Sequence, residues 1–188
     1  MTAPRPSSPR IEPLAELTGD AAELAGTLIT GPSGRPINIF GTLAKHPKLA
    51  KRFNLFGGFL LNKGLIPVRE REIVILRVGW NAQSVYEFGQ HTVIGRNCGL
   101  SASEIGALAT DDPSAGNWSA DDQALIALAD DLCRHDCVSD ETFAKLTSRW
   151  NEAEVIELIV VAGFYRLVSG FLNSVGVELD PGVPSWPA

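Results

Sequence analysis

An all-helical fold is predicted by three features of this chain. Apolar residues recur three and four positions apart through most of its length, the spacing of one helix face. Helix-starting residues, Ser or Asn caps and Pro at the first turn, stand where those patterns begin. No segment shows the strict apolar/polar alternation of a half-buried strand. With 188 residues, 45% hydrophobic and 20% charged, the composition is that of an ordinary globular protein, and one domain is expected. Each predicted helix is too short to stand alone, so they must pack on one another.

The elements follow in order. Residues 1–13, rich in Pro, Ser and Arg, read as a mobile arm ahead of a single helical domain over 14–188. A short helix around 21–28 ends in the turn Gly31-Pro32-Ser33-Gly34. Asn38 can cap a short helix that stops before Pro47. Pro47 then opens a helix with Leu49, Phe53, Phe56, Phe59 and Leu60 as its apolar stripe, ending near Gly64. Pro67 opens the next, from about Val68 to Trp80, with Ile73, Leu76 and Trp80 along one face. A kink or cap is expected at Asn81-Ala82-Gln83-Ser84, followed by a helix to about Asn97 that stops at Gly99. Ser101 and Glu104 form a capping box. A loop covers 110–118, and Ser119 opens a helix through Leu125, Leu128 and Leu132. Ser139 caps another helix, and the last spans about 152–173. The tail 180–188 is Pro-rich and irregular.

Composition excludes several roles. The formal net charge of -6 argues against a general nucleic-acid binder, which needs a basic surface. The most apolar run, Val155 to Val177, contains Glu157, Arg166 and Asn173, which disfavours a membrane span. No signal peptide is visible, and the three cysteines do not form a disulfide framework. Cys133 and Cys137, four apart at a helix end, read as small buried hydrophobes. With only His135 and Asp136 nearby, they make a poor metal site. A reducing cytoplasm suits such a chain.

One stripe can carry chemistry. Ser84, Glu87, His91, Ile94 and Cys98 share a helix face, polar at its start and apolar at its end. A carboxylate and an imidazole one turn apart can hydrogen bond, which fixes the His tautomer and tunes its pKa. Glu72, on the edge of the preceding apolar stripe, can approach the same pair if the chain bends near Asn81. Two carboxylates beside an imidazole then supply an acid and a base at neutral pH. The plainer reading stands beside this one. A Glu and His four apart often form a surface pair, and Arg69-Glu70-Arg71-Glu72 has the look of a solvated helix start.

These residues also carry a family resemblance. Asn38-Ile39-Phe40, Leu43-Ala44-Lys45-His46-Pro47, Pro67 through Arg77, Tyr86-Glu87-Phe88-Gly89-Gln90-His91 and Gly99-Leu100-Ser101 resemble the carboxymuconolactone decarboxylase family, part of the alkylhydroperoxidase-like superfamily. The resemblance spans about 38–183. It implies a helical bundle that assembles into homo-oligomers, as dimer, trimer or hexamer. In the superfamily's peroxidase branch a CxxC redox pair is joined by an upstream Glu and a downstream His. By spacing, Glu72 falls on that Glu, His91 on that His, and Ser84 and Glu87 on the two redox cysteines. Disulfide cycling needs both thiols, so the chain resembles the branch without the redox pair.

The resemblance implies a cofactor-free lyase or isomerase acting on a small acidic lactone or carbonyl compound. His91 would be the general acid or base, Glu87 its orienting partner and Glu72 a second proton-handling group. Ser84 or Tyr86 could donate a hydrogen bond to the substrate, Arg77 could bind a substrate carboxylate, and Trp80 could wall the pocket. No metal, nucleic acid or membrane is expected. The alternatives are an antioxidant oxidoreductase of the same superfamily and a non-catalytic oligomeric binding protein.

Overall fold

The computed structural model describes residues 4–187, and these are helical apart from turns and loops, with a single isolated bridge between Thr30 and Pro36. The α-helices are α1 (Asn38–Leu43), α2 (Pro47–Asn62), α3 (Val68–Asn81), α4 (Val85–Asn97), α5 (Ala102–Leu108), α6 (Ala120–His135), α7 (Asp140–Thr147) and α8 (Glu152–Val175). The chain divides into two compact units. One comprises the residues up to Lys63 together with Phe171–Gly182, the other Gly64–Gly170 together with the residues from Val183.

In the first unit the expected helix over 21–28 is instead a 3-10 turn, Gly19–Leu24. Three further sequence expectations bear on this unit. Residues 1–3 of the arm lie outside the described residues. The rest of it is irregular, yet Arg10 N–H donates to the carbonyl of Val175 at 2.8 Å and the Arg10 guanidinium to that of Ser174 at 3.1 Å. Asn38 is not the cap of α1: Ile37 holds that position, and the Asp180 carboxylate accepts the Asn38 N–H at 2.9 Å. A carboxylate at a helix start satisfies an orphan donor and opposes the positive end of the dipole. Finally, the apolar stripe of α2 is largely uncovered. Only Ala50 and Leu60 of this helix are buried, while Leu49, Phe56 and Phe59 are exposed.

The second unit contains the core around α3. Ile73, Val74, Ile75, Leu76 and Val78 are all inaccessible, and α3 packs against α4, α5 and α6. A helix buried on every side can keep charged residues only if each is paired. Arg77 meets that demand. Its guanidinium donates to Asp130 on α6 at 2.6 and 3.1 Å and to the carbonyls of Leu108 and Thr110 at 3.2 and 2.6 Å. At the start of α3, Arg69 joins Asp122 of α6 and Glu104 of α5 at 2.7 and 2.8 Å. The capping boxes at Ser101/Glu104 and Ser119/Asp122 form as residue types and spacing require. Ser139 likewise accepts from Thr142 N–H at the start of α7.

The turn between α3 and α4 decides what faces what. Gln83 adopts a left-handed conformation, φ 51°. Ser84 N–H reaches the Gly79 carbonyl at 2.9 Å and Gln83 N–H that of Trp80 at 2.8 Å. This pair of bonds is a Schellman motif, which ends α3 and turns the chain back. The returning helix lies close to α3. A Cβ on Gly95 would stand 3.3 Å from Leu76 Cδ1, so a larger residue there would force the helices apart.

The remaining long helix, α8, is apolar and long enough by composition to cross a membrane, and half of its most apolar window is buried inside the structure. Its Glu157 is buried too. The carboxylate accepts the backbone N–H groups of Leu65 and Ile66 at 2.8 and 3.1 Å, and so ties the segment before α3 to α8.

Candidate active site

Glu72, Glu87 and His91 come together. Glu72 projects from the second turn of α3, and Glu87 and His91 from successive turns of α4. His91 Nδ1 lies 2.6 Å from Glu72 Oε2, and His91 Nε2 lies 3.0 Å from Glu87 Oε1. All three side chains are buried, Glu72 completely. The charge run over 69–72 is therefore no solvated helix start: Arg71 and Glu72 both face inward.

Two neighbours complete the cluster. Arg71 donates to Glu72 Oε1 from Nε at 3.3 Å and from Nη2 at 3.2 Å. Tyr165 of α8 meets the His91 ring edge-on, with centroids 4.9 Å apart. Neither was singled out from the sequence. Arg71 was visible there only as one charge among four, and no local spacing connects Tyr165 to a residue 74 positions earlier.

The geometry constrains the protons. A neutral imidazole has one N–H and can donate to only one carboxylate. Both contacts of His91 are satisfied when the ring is an imidazolium, or when one carboxyl holds the proton instead. Burial pulls the His91 pKa down, but the charge and hydrogen bond of Glu72, and then those of Glu87, outweigh it and raise the value to about 10. With His91 charged, Arg71 and His91 balance Glu72 and Glu87, and the buried cluster has no net charge. Burial, then Glu87 and Glu72, push the Tyr165 hydroxyl well above its ordinary pKa, so it stays protonated at neutral pH.

The other candidates are placed less uniformly. Ser84 occupies the N-cap of α4 but makes no side-chain cap bond. Its buried Oγ has no hydrogen-bond partner among the described residues. Tyr86 is buried and its hydroxyl accepts from Gln90 Nε2 at 3.2 Å. Trp80 is half-buried against Trp186, edge-on at 5.3 Å, and Trp186 also packs on Phe88 at 5.1 Å. Arg77 is the clear correction. It is fully buried with its donors committed to Asp130, Leu108 and Thr110, and so serves the packing of α3 rather than a substrate carboxylate.

The cysteines form no redox pair around the site. Cys98, on the same face of α4, donates to the Gly95 carbonyl at 3.2 Å, and burial followed by the charge of Glu72 raises its pKa. Cys133 is half-buried, and Cys137 is exposed, against the expectation that both lie in the core. The chain turns out of α6 through left-handed Asp136, which carries Cys137 beyond the helix.

Comparison with known proteins agrees with this architecture. The chain has the fold of an alkylhydroperoxidase-like protein. An uncharacterized peroxidase-related protein from Silicibacter sp. TM1040 superposes with a TM-score of 0.81 at 13% identity, covering 97% of each chain. The alkylhydroperoxidase AhpD core protein of Ralstonia eutropha JMP134 gives 0.77 at 18% identity, covering 91% of this chain and 93% of that one. The debrominase Bmp8, in a variant bound to 2,3,4-tribromopyrrole, gives 0.73 at 17% identity, covering 91% of each. Residues 47–130 match the carboxymuconolactone decarboxylase family. This segment contains Glu72, Glu87 and His91. No curated protein matches the chain.

Proposed function

We propose that this protein is a cofactor-free acid–base enzyme, of decarboxylase or isomerase type, acting on a small acidic lactone or carbonyl compound in the cytoplasm. The observation that carries the reading is an imidazole bonded through both ring nitrogens to carboxylates from two helices. Such a group holds a proton at neutral pH and has two acceptors poised to share it. Glu72, held by Arg71, lies against Nδ1 of the ring. The His91 and Glu87 side chains retain slight exposure while Glu72 has none, so the substrate is expected on the Glu87 side of the ring.

In a decarboxylation, the bond from the substrate carbon to its carboxylate breaks and carbon dioxide leaves. The electron pair passes into the conjugated carbonyl. His91 Nε2 then delivers its proton to carbon, and a proton from water restores the imidazolium. Positioned proton transfer of this kind contributes about 10²–10⁴-fold. The Ser84 hydroxyl, at the positive end of α4, is suited to the substrate's carboxylate or carbonyl oxygen. A thiol mechanism is disfavoured, because Ser84 and Glu87 stand where the redox pair would be and the Cys98 thiol is held protonated.

The test is to follow loss of carboxymuconolactone by the purified chain and by His91→Ala, with far-UV circular dichroism as a control for folding. Turnover that disappears in a folded variant supports the reading. Equal rates in both proteins would refute it. Peroxide consumption that depends on Cys98 would favour the oxidoreductase alternative.

A second reading is favoured by the burial and charge balance of the same cluster: a structural polar core in a non-catalytic binding protein. In that case no lactone is turned over, and the variant shows only a lower melting temperature.

A further inference from the structure

Helix α2 carries exposed apolar residues and unneutralised charge on the same face. Its inner side, with Ala50 and Leu60 buried, packs on α1 and the 3-10 turn. On the outer side Leu55 is 75% exposed, Leu49 50%, Phe59 47% and Phe56 43%. Leu55, Phe56 and Phe59 line an open groove of about 520 Å³ together with Arg52 and Lys63.

The charge here has one sign. From Leu24 to Val68 the chain has six Lys and Arg residues and no Asp or Glu, although it has 16 and 22 of these in all and is acidic overall. Five of the six, Lys45, Lys48, Lys51, Arg52 and Lys63, lie on α2 or at its ends. Among the described residues no carboxylate pairs with any of the five. Arg52 donates instead to the carbonyl of Lys48 at 3.1 Å.

The cations and the apolar side chains are interleaved. At about 100° per residue the order around the exposed arc is Leu55, Lys48, Phe59, Arg52, Lys63, Phe56. Such an order suits some occupants and not others. A protein interface keeps charge out of its centre. A second copy of this chain would set the cations against their like across a twofold axis. The leucines offer a nucleic acid base no ring to stack on. A lipid surface accepts the mixture. The long Lys and Arg stems lie along the acyl boundary and carry their charge up to the phosphates, while Leu and Phe enter between the chains.

We propose that α2 is a docking site for an anionic phospholipid bilayer. The helix has 16 residues, fewer than the about 20 that a span needs, so it lies in the plane of the surface. Leu49, Leu55, Phe56 and Phe59 insert at the acyl boundary, and Lys48, Lys51, Arg52 and Lys63 meet the headgroup phosphates. Each cation at such a surface contributes about fivefold in affinity, so four of them give a preference over neutral lipid on the order of several hundredfold.

The test is co-sedimentation of the full chain with vesicles of phosphatidylcholine alone and of phosphatidylcholine with one third phosphatidylglycerol. In about 0.05 M salt the chain should bind the mixed vesicles and leave the neutral ones, and about 0.5 M salt should release most of it. Lys48→Gln/Arg52→Gln should weaken binding about 25-fold, the loss of two cations. Leu55→Ser should weaken it several-fold. Both variants should keep the circular dichroism and melting temperature of the wild type, because the altered side chains are exposed. A wild type that ignores the mixed vesicles at low salt overturns the inference. So does equal binding to the two kinds of vesicle, or binding unchanged in both variants. Binding that fails wherever the chain self-associates, and returns when it dissociates, would give the face to a second copy and overturn the inference as well.

Discussion

Replacing Glu72 by Ala tests whether the buried cluster acts as one unit. The change removes the carboxylate that Arg71 and His91 share, from a side chain with no solvent exposure. Two cationic groups then lose their closest counter-charge inside the unit. Breaking a buried pair costs about 3–5 kcal/mol, chiefly because the partner is left uncompensated. For a chain of this size each kcal/mol lowers the melting temperature by about 2–4 °C. A drop of roughly 6–20 °C is therefore expected by circular dichroism. His91→Ala should cost a similar amount, and the double variant clearly less than the sum, with about 1–3 kcal/mol of coupling between the two sites. A loss below about 1 kcal/mol for Glu72→Ala, or strict additivity with His91→Ala, would show that the hydrogen-bonded geometry contributes nothing and that the proton-sharing argument is unsound.

Other outcomes follow from the same contacts. His91 binds its proton more tightly folded, with a pKa of about 10, than unfolded, near 6.5. The stability it adds is complete below about pH 6.5 and is lost as pH rises towards 10. The melting temperature should fall over that range, and His91→Gln should flatten the fall. Arg77→Met should lower stability by about 3–5 kcal/mol in urea melts, since it takes the buried cation from Asp130, which keeps only Asn81 and Arg134, and the donor from two carbonyls; near-wild-type stability would contradict the packing role. Ser101→Ala removes one half of a capping box and should cost about 1 kcal/mol; a change beyond about 2 kcal/mol would point to a tertiary role.

Local rules worked where the information is local. A Ser or Pro at a helix start acts through atoms within one turn, so the starts of α2, α5, α6 and α7 could be read directly from the chain. The Glu87–His91 pair also lies within one turn, and its spacing was visible. The Asn38 cap misled because the real capping group, Asp180, lies 142 residues away. The stripe of α2 misled for a related reason: helical spacing says which residues share a face, not what covers that face.

The sequence by itself determined the all-helical class, most helix starts and the register that puts Glu87 one turn before His91. All of these rest on hydrogen bonds and side-chain directions within a few residues. Only the tertiary structure decided that Glu72 reaches the second ring nitrogen, that Arg71 turns inward to hold it, that Tyr165 closes over the imidazole and that Arg77 is committed to packing. Each of these depends on how α3 meets α4, α5 and α6, or on how α8 meets His91. That meeting is set by the summed shape of many apolar side chains and by one left-handed turn at Gln83, and neither leaves a period in the sequence.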